Sequence, residues 1–389
     1  MSSTTEQLQR TTRDEKAPAT YRRVVVTKLG GPEVLQIVED ELPQPGPGAV
    51  RVRILATGVS LADLFMREGI HPEAPRAPFT PGWDLVGIVD QLGPGATGPK
   101  RGEMVAAMPI VGAHAEYICL PQRELTVVPT GVDPAEALCL VFNYVTAYQM
   151  MHRSARVRPG QSVLVHAAAG GIGTALLQLG RLAGLEMYGT ASRRAHETVR
   201  SLGGVPIDYR SVDFVEEVRR LVPDGVDVVF DGIGGAHIWR SREVLRAGGR
   251  VVAYGLTSSL RGGTMGGWRR RLRGVERLRG LGIIGLATAG AFFLPGQKRV
   301  LPYSIQWLKR RKPAWFRDDL TALLRLLSEE KIEPIVAARF PLREIKRAHE
   351  LLGAGGVTGK IVLVRRSARS SRLGHADASR QLGLGRCWS

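Results

Sequence analysis

The sequence predicts an α/β protein built from a doubly wound parallel sheet and a second, β-rich domain of short strands. Three observations predict it. Strand-like and helix-like segments alternate regularly from Ser162 to Tyr254, and such βαβ alternation calls for a parallel sheet covered by helices on both faces. Inside that region an apolar run passes directly into a turn of small residues, Ala167 to Gly173, and then into helical spacing. Ahead of it, from Tyr21 to Leu120, short alternating runs are punctuated by glycine and proline, the pattern of short strands and tight turns. At 389 residues the chain can form two sizeable cores.

The elements follow in order. Residues 1–20 are polar, lack periodicity and read as a disordered tail. Arg23–Lys28, Leu35–Glu39 and Ala49–Thr57 read as strands, separated by turns at Leu29-Gly30-Gly31-Pro32 and Pro43–Gly48. A helix is expected near Ser60–Glu68, then strands at Gly87–Leu92, Met104–Met108 and Ala115–Leu120. After Asp133 two helices are expected, Pro134–Leu140 and Asn143–His152, the second closed by Arg158-Pro159-Gly160. Strands then read at Ser162–His166, Glu186–Thr190, Val226–Phe230 and Arg250–Tyr254, with helices at Gly171–Ala183, Ala195–Leu202, Phe214–Leu221 and Ile238–Leu245. A further strand near Leu281–Leu286 would complete the sheet. Phe316–Glu330 is amphipathic at helical spacing, and strands at Ala337–Phe340 and Lys360–Val364 flank a helix at Leu342–Leu352.

The hydrophobic fraction of 44% and charged fraction of 23% are those of an ordinary soluble protein. Met1–Ala19 lacks the apolar core of a secretory signal, and no stretch reaches the roughly 18 apolar residues of a membrane span. Cys119, Cys139 and Cys387 lie far apart with no CxxC. That spacing argues against a disulfide framework and fits a reducing compartment, so a cytoplasmic location is expected. Much of the excess behind the formal charge of +18 sits in Arg269–Arg271, Arg273, Arg277 and Arg279 and in the tail Arg365 to Arg386, within the expected disordered basic tail at 367–389 and just before it. No nucleic-acid motif accompanies it, and no nucleic-acid partner is expected. Two readings of the arginine run stay open: a solvated loop, or peripheral contact with acidic membrane lipid.

The sharpest motif is Ser162-Val163-Leu164-Val165-His166-Ala167-Ala168-Ala169-Gly170-Gly171-Ile172-Gly173. A pyrophosphate needs close approach to backbone N–H groups and to the positive end of a helix dipole. Side chains would block that approach, so alanine and glycine suit the turn, and Gly173 lets the helix pack closely on the first strand. Within a strand–turn–helix unit this reads as a dinucleotide site. About 20 residues on, an NAD site would place a carboxylate against the ribose 2′-hydroxyl. Here stands Gly189-Thr190-Ala191-Ser192-Arg193-Arg194, a hydroxyl and two guanidinium groups suited to a 2′-phosphate. NADPH is therefore the expected cofactor. Zinc would need cysteine, histidine or carboxylate ligands converging from several segments. The candidate positions hold Ser60, Trp83 and Asp84, and no metal is expected.

With these residues in place, the chain resembles the medium-chain dehydrogenase/reductase superfamily. It looks like the zinc-free quinone-oxidoreductase (zeta-crystallin-like) branch, and within it the vesicle-amine-transport-type proteins. The resemblance runs from about Tyr21 to Arg366. Its stretches are Gly58-Val59-Ser60-Leu61-Ala62-Asp63, Pro81-Gly82-Trp83-Asp84-Leu85-Val86-Gly87, Ala115-Glu116-Tyr117, Asn143-Tyr144-Val145-Thr146-Ala147-Tyr148, Pro206-Ile207-Asp208-Tyr209-Arg210 and Gly359-Lys360-Ile361-Val362-Leu363-Val364. It implies a Rossmann cofactor domain at 146–299, with a GroES-like domain formed by residues 21–145 and a return at 300–366.

The resemblance also implies roles. Ser192, Arg193 and Tyr209 would surround the adenosine phosphate, Thr146 and Asn143 would lie near the nicotinamide, and the backbone at Ile233 and Tyr254-Gly255 would cover the cofactor. Two departures bear on substrate: Ser60 stands where many relatives carry Asn, and Phe65 where a tyrosine often follows Asp63. Tyr144, Asn143, Ser60 and Asp63 are the catalytic candidates, and Tyr144, a water or a ribose hydroxyl could return the proton. The implied reaction is hydride transfer to a quinone or an α,β-unsaturated carbonyl, in a homodimer. Its rivals are an enoyl-thioester reductase and a membrane-associated NADPH-binding protein with little turnover.

Overall fold

The computed structural model describes residues 19–255 and 297–365. The expected tails at 1–20 and 367–389, the arginine run and the expected strand Leu281–Leu286 lie wholly or almost wholly outside these residues.

Two sheets organise the chain. One is a six-stranded parallel sheet of β8 (Ser162–Val165), β9 (Glu186–Ala191), β10 (Gly204–Asp208), β11 (Val226–Asp231), β12 (Leu245–Ala253) and β13 (Arg299–Pro302). Its order is β10-β9-β8-β11-β12-β13. The order reverses between β8 and β11, and doubly wound sheets bind ligands outside the carboxyl ends of strands at such a switch point. β8 and β11 are buried along their whole length, which is why both read as continuous apolar runs rather than alternating ones. Among the described residues, the strand beyond β12 is β13 (Arg299–Pro302).

β10 has no counterpart among the sequence-based strands. It is an edge strand interrupted by Pro206, and an edge tolerates a proline that would break a central ladder. The proline and the exposed Val205 hide the strand pattern.

The second unit begins with the hairpin-like pair β1 (Thr20–Val26) and β2 (Leu35–Glu41). It continues as a sheet of β3 (Ala49–Val59), β4 (Leu85–Leu92), β5 (Met104–Ala107) and β7 (Thr126–Val127), with β6 (Tyr117–Pro121) on β3. The chain returns to it at the end. β14 (Val336–Pro341) pairs with β15 (Lys360–Val364), and β15 lies antiparallel to β3, Val362 opposite Gly58.

Between the units runs one continuous helical stretch, Pro134–Ala155, capped by Asp133, whose carboxylate accepts from Ala135 N and Glu136 N. The two helices expected here are one. Its turns widen to the π form at Leu140–Tyr144 and again at Gln149–Ala155. Apolar spacing does not distinguish a π turn from a break, so periodicity alone divides this helix wrongly. Leu138, Leu140, Tyr144 and Met150 are almost wholly buried in a core that takes in Trp83 and Val362 on one side and Val163 and Phe230 on the other. Phe316, Leu320, Leu323, Leu324 and Leu327 of the helix Pro313–Ser328 close that core; each contributes about 1.5–3 kcal/mol by burial.

Candidate active site

The site is built at the carboxyl ends of β8, β9 and β11. β8 leads into Ala167, which sits at φ +54°, a left-handed conformation costly for any residue with a side chain. It is held there by Gly170 N, which donates to Ala167 O at 2.9 Å. The helix Gly171–Leu182 starts from Gly170, which has no side chain to cap it, so the first N–H groups of a twelve-residue helix are offered to a ligand. A Cβ on Gly173 would lie 2.3 Å from Ala167 O and 2.6 Å from Ala168 O. Only glycine lets the helix sit this close to the turn. A Cβ on Gly171 would lie 2.3 Å from Asn143 Nδ2 and 3.2 Å from Gly359 O. Asn143, on the first π turn, and the return strand therefore close on the turn together. Gly359 N donates to Ala169 O at 3.1 Å, and Gly170 bridges to Gly359.

At the carboxyl end of β9, β9 and β10 run in register with Asp208 beside Ala191. This places Ser192 and Tyr209 as the next residues of neighbouring strands. Arg193 and Arg194 are exposed, and neither forms an ion pair among the described residues. Arg194 reaches across to Gly356 on the return segment.

At the other end, Gly232 and Gly255 press together: a Cβ on Gly255 would meet Gly232 O at 1.9 Å. Tyr254 lies against Gly232, and its N donates to Asp231 O at 3.0 Å. Thr146 and Asn143 are buried on the helical stretch. Tyr144 is 1% exposed, and its hydroxyl has no hydrogen-bond partner among the described residues. Burial lifts its pKa well above the usual phenol range. An unpaired buried hydroxyl costs about 1–3 kcal/mol, a cost a ligand can remove.

Ser60 and Asp63 are engaged locally. Ser60 caps the helix Leu61–Glu68, Asp63 Oδ2 accepts from Ser60 N at 2.9 Å, and Ser60 Oγ donates to the same oxygen at 2.6 Å. Asp63 Oδ1 accepts from Gly82 N at 3.1 Å. This is a reciprocal capping box that also pins the loop before Trp83.

Sequence reasoning missed a network beneath the turn. Asp231 Oδ1 accepts from Ile233 N at 2.8 Å and Gly234 N at 2.9 Å, and Oδ2 accepts from Ser241 Oγ at 2.7 Å and His237 Nδ1 at 3.0 Å. His166 Nε2 lies 3.1 Å from Ser241 Oγ, and Nδ1 lies 3.1 Å from Thr190 Oγ1. Ala167 N donates to that same threonine oxygen at 3.3 Å. Because Ser241 gives its proton to Asp231, it must accept from His166 Nε2–H. His166 Nδ1 is then bare and accepts from Thr190. One directed chain thus joins the glycine turn to the Ile233–Gly234 loop. Burial pushes His166 down to about 3. Burial alone would raise Asp231, but the His237 hydrogen bond, with help from His166 and Ser241, holds its carboxyl below the usual range.

A second missed pair joins the sheets' junction. Lys360 Nζ lies 2.6 Å from Asp84 Oδ2, both almost fully buried. Gly58 N donates to Asp84 Oδ1 at 3.1 Å. Burial raises the Asp84 pKa and Lys360 opposes that rise.

These observations bear on zinc. Ser60 is spent on the capping box, and Trp83 packs on His71 and Phe142 with ring centroids 5.5 and 5.4 Å away. Asp84 is spent on Lys360. His166, Asp231 and His237 form the one group of three ligand-type residues found among the described residues. Ser241 Oγ fills its centre, at 3.1, 2.7 and 3.5 Å from the three ligand atoms. The donor set between the sheets does not fit a zinc ion.

Residues 46–130 match the alcohol dehydrogenase GroES-like domain, and residues 202–363 match the zinc-binding dehydrogenase family. The chain is 32% identical over 347 residues to the synaptic vesicle membrane protein VAT-1 homolog of Rattus norvegicus, covering 88% of this chain and 84% of that one. The chain belongs to the medium-chain dehydrogenase/reductase superfamily. Within it, the chain is 32% identical to the 2-haloacrylate reductase of a Burkholderia species, covering 87% of this chain and 98% of that one. The structure of Escherichia coli quinone oxidoreductase complexed with NADPH superposes with a TM-score of 0.75 at 26% identity, over 88% of this chain and 99% of that one. The six-stranded unit is the Rossmann domain of this superfamily, and the strand-rich unit is its GroES-like domain. Among the described residues, no helix is long and apolar enough to cross a membrane.

Proposed function

We propose that this chain is an NADPH-dependent reductase that delivers hydride to a quinone or an α,β-unsaturated carbonyl without zinc. One observation carries the cofactor choice. The second strand of the sheet is followed by Ser192-Arg193-Arg194, with neither guanidinium group in an ion pair among the described residues and Tyr209 alongside, where an NAD site would carry a carboxylate. The NADPH complex of the Escherichia coli quinone oxidoreductase supports the same reading.

The backbone of Ala167, Ala168, Gly170, Gly171, Ile172 and Gly173 is proposed to hold the pyrophosphate, and Ser192, Arg193 and Tyr209 the 2′-phosphate. Thr146, Asn143, Ile233, Tyr254 and Gly255 would hold the nicotinamide half. When bound, NADPH supplies the hydride; the chain's own task is to orient the reactants, exclude water and supply a proton. Tyr144 suits the last role. A phenol is protonated at neutral pH at its ordinary pKa, and the burial that raises the Tyr144 pKa rules it out as a base while also making it a weaker acid. Ser60 and Asp63 shape the loop that would face the substrate. A quinone or enone needs no metal because its developing negative charge is delocalised. Homodimer formation belongs to the same proposal.

A panel of quinones and enones, assayed by loss of NADPH absorbance with and without a chelator, tests the reading. Turnover of at least one class, unchanged by chelator, is expected. Turnover that is lost together with stoichiometric zinc, or absent on every acceptor, overturns it.

A further inference from the structure

At the amino-terminal edge of the Rossmann sheet, away from the strand ends that form the candidate active site, lies a cavity of about 560 Å³. Its walls carry Arg153, Arg156, Arg250 and Arg299, with Gly248 and Gln297 beside them. Among the described residues no acid lines it.

Among the described residues the charge here is only partly neutralised from within. Arg153 is spent on Asp319, with Nη2 at 2.6 Å from Oδ1, and Arg246 is spent on Asp227. Arg156, Arg250 and Arg299 form no ion pair and no side-chain hydrogen bond among the described residues. Arg250 Nε is buried with no partner at all. Parallel register sets Arg250 directly beside Arg299, a like-charge neighbour pair that destabilises a sheet. Burial, and then Arg158, Arg299 and Arg246, press the Arg250 pKa below the ordinary arginine range, against the pull of Asp227. A folded chain tolerates cations crowded around an empty space when an anion fills that space.

We infer that this cavity is a binding site for a small polyphosphorylated anion, distinct from the cofactor site. Guanidinium groups bind phosphate oxygens through paired, charge-assisted hydrogen bonds, and a volume of this size is typical of a small-ligand pocket. Three unpaired arginines match an anion with more than one phosphate. A soluble polyphosphate and a phosphorylated lipid headgroup share this chemistry.

Calorimetric titration of the full chain with sodium tripolyphosphate, at low ionic strength, tests the inference. Stoichiometric binding is expected, weakened at least about tenfold, or roughly 1.4 kcal/mol, in R250Q/R299Q. That variant is expected to melt no lower than the parent without anion, because the like-charge pair is relieved. Should it fail to fold, Arg156→Gln, at an exposed residue, carries the same test. Arg193→Gln, at the proposed cofactor phosphate, is expected to leave tripolyphosphate binding unchanged, which separates this site from the cofactor reading. Vesicles containing a phosphatidylinositol bisphosphate distinguish the sources: competition with tripolyphosphate identifies a headgroup, and its absence a soluble anion. No binding to the parent, undiminished binding to the arginine variants, or loss of binding in Arg193→Gln would each overturn the inference.

Discussion

Beneath the glycine turn, Asp231 accepts from four groups and both nitrogens of His166 have partners. After β9, Arg193 and Arg194 have no ion pair, and in the helical stretch the Tyr144 hydroxyl has no hydrogen-bond partner, among the described residues. The floor of the site is saturated and its lining is not. The difference teaches how the two tasks divide. A saturated floor fixes backbone positions before any ligand arrives, so little ordering is left to do on binding. Unsaturated lining groups leave the ligand to complete the hydrogen bonding, and that is where discrimination between ligands resides. Changes to the floor should therefore act on folding and on every cofactor alike, and changes to the lining should act on one ligand.

The largest effect is expected from Asp231→Ala. It removes the buried carboxylate that accepts from Ile233 N, Gly234 N, His237 Nδ1 and Ser241 Oγ. Removing one partner from a buried charged network costs about 3–5 kcal/mol. Thermal or denaturant unfolding should show that loss, and the surviving folded protein should bind NADPH and NADH more weakly in equal proportion. A selective loss of one cofactor would break the division between floor and lining.

Acid comes next, and the two histidine clusters sharpen the comparison. His166 is neutral in the folded chain, its pKa pushed down to about 3 by burial. His349 is also lowered well below its usual value, by burial first and then by His114 and Arg67. The unfolded chain takes up protons on both near pH 6.5. Between the folded and unfolded values the unfolded state binds more protons, so stability is lost as pH falls below about 6.5. The slope is at most about 1.4 kcal/mol per unit for each histidine. Below about pH 4, protonation of Asp231, held below its ordinary value when folded, adds to the loss. The clusters differ in satisfaction. Arg67 Nη1 donates to His349 Nδ1 at 2.9 Å, but His349 Nε2 and His114 Nδ1 have no partner. His349→Gln should flatten the acid limb between pH 6.5 and 5. A melting temperature level from pH 7.5 to 5 in the parent would contradict both assignments.

At the lining, Arg193→Ala should weaken NADPH by about tenfold, or roughly 1.4 kcal/mol, and leave NADH and the unfolding transition unchanged. Fluorescence titration with each cofactor reads both. Equal affinity of the unmodified chain for the two cofactors would remove the basis for the experiment.

How much of this was readable beforehand depended on whether the relevant contacts are local. The helix Phe214–Leu221 is announced by its own cap, Asp213, and by apolar residues a turn apart, and the structure places it at those residues. The Ala167–Gly173 turn is equally local, because its glycines answer to atoms a few residues away. The π turns around Asn143 and Tyr144 leave no mark in periodicity, and the edge strand at Pro206 reads as a loop. The Asp231 network was out of reach for a different reason. Thr190, His166 and Asp231 come from the ends of three strands, and His237 and Ser241 from one helix, and these segments meet only because β8 lies between β9 and β11. The available signal was topological: a polar residue ending each of three adjacent parallel strands. Lys360 and Asp84 are further apart still, 276 residues along the chain; Asp84 reads as a possible metal ligand and Lys360 as the start of a strand, and neither reading points to the other residue.

The smallest expected effect separates position from role at Ser60. Its hydroxyl donates to Asp63 Oδ2 at 2.6 Å and accepts from Asp63 N at 3.4 Å. Ser60→Ala removes an N-cap and should cost about 1 kcal/mol, seen as a lower melting temperature. Asp63 keeps its bonds to Ser60 N and Gly82 N in that variant, so the loop before Trp83 should stay in place. If Ser60 is only a cap, kcat and KM for a quinone acceptor should both remain near the parent's values below the melting range. Ser60→Thr, which retains a capping hydroxyl, should then restore stability. If Ser60 also contacts substrate, Ser60→Ala should change KM or kcat at a temperature where the variant is fully folded. Restored stability with activity still impaired in Ser60→Thr would then place the serine in the lining rather than the scaffold.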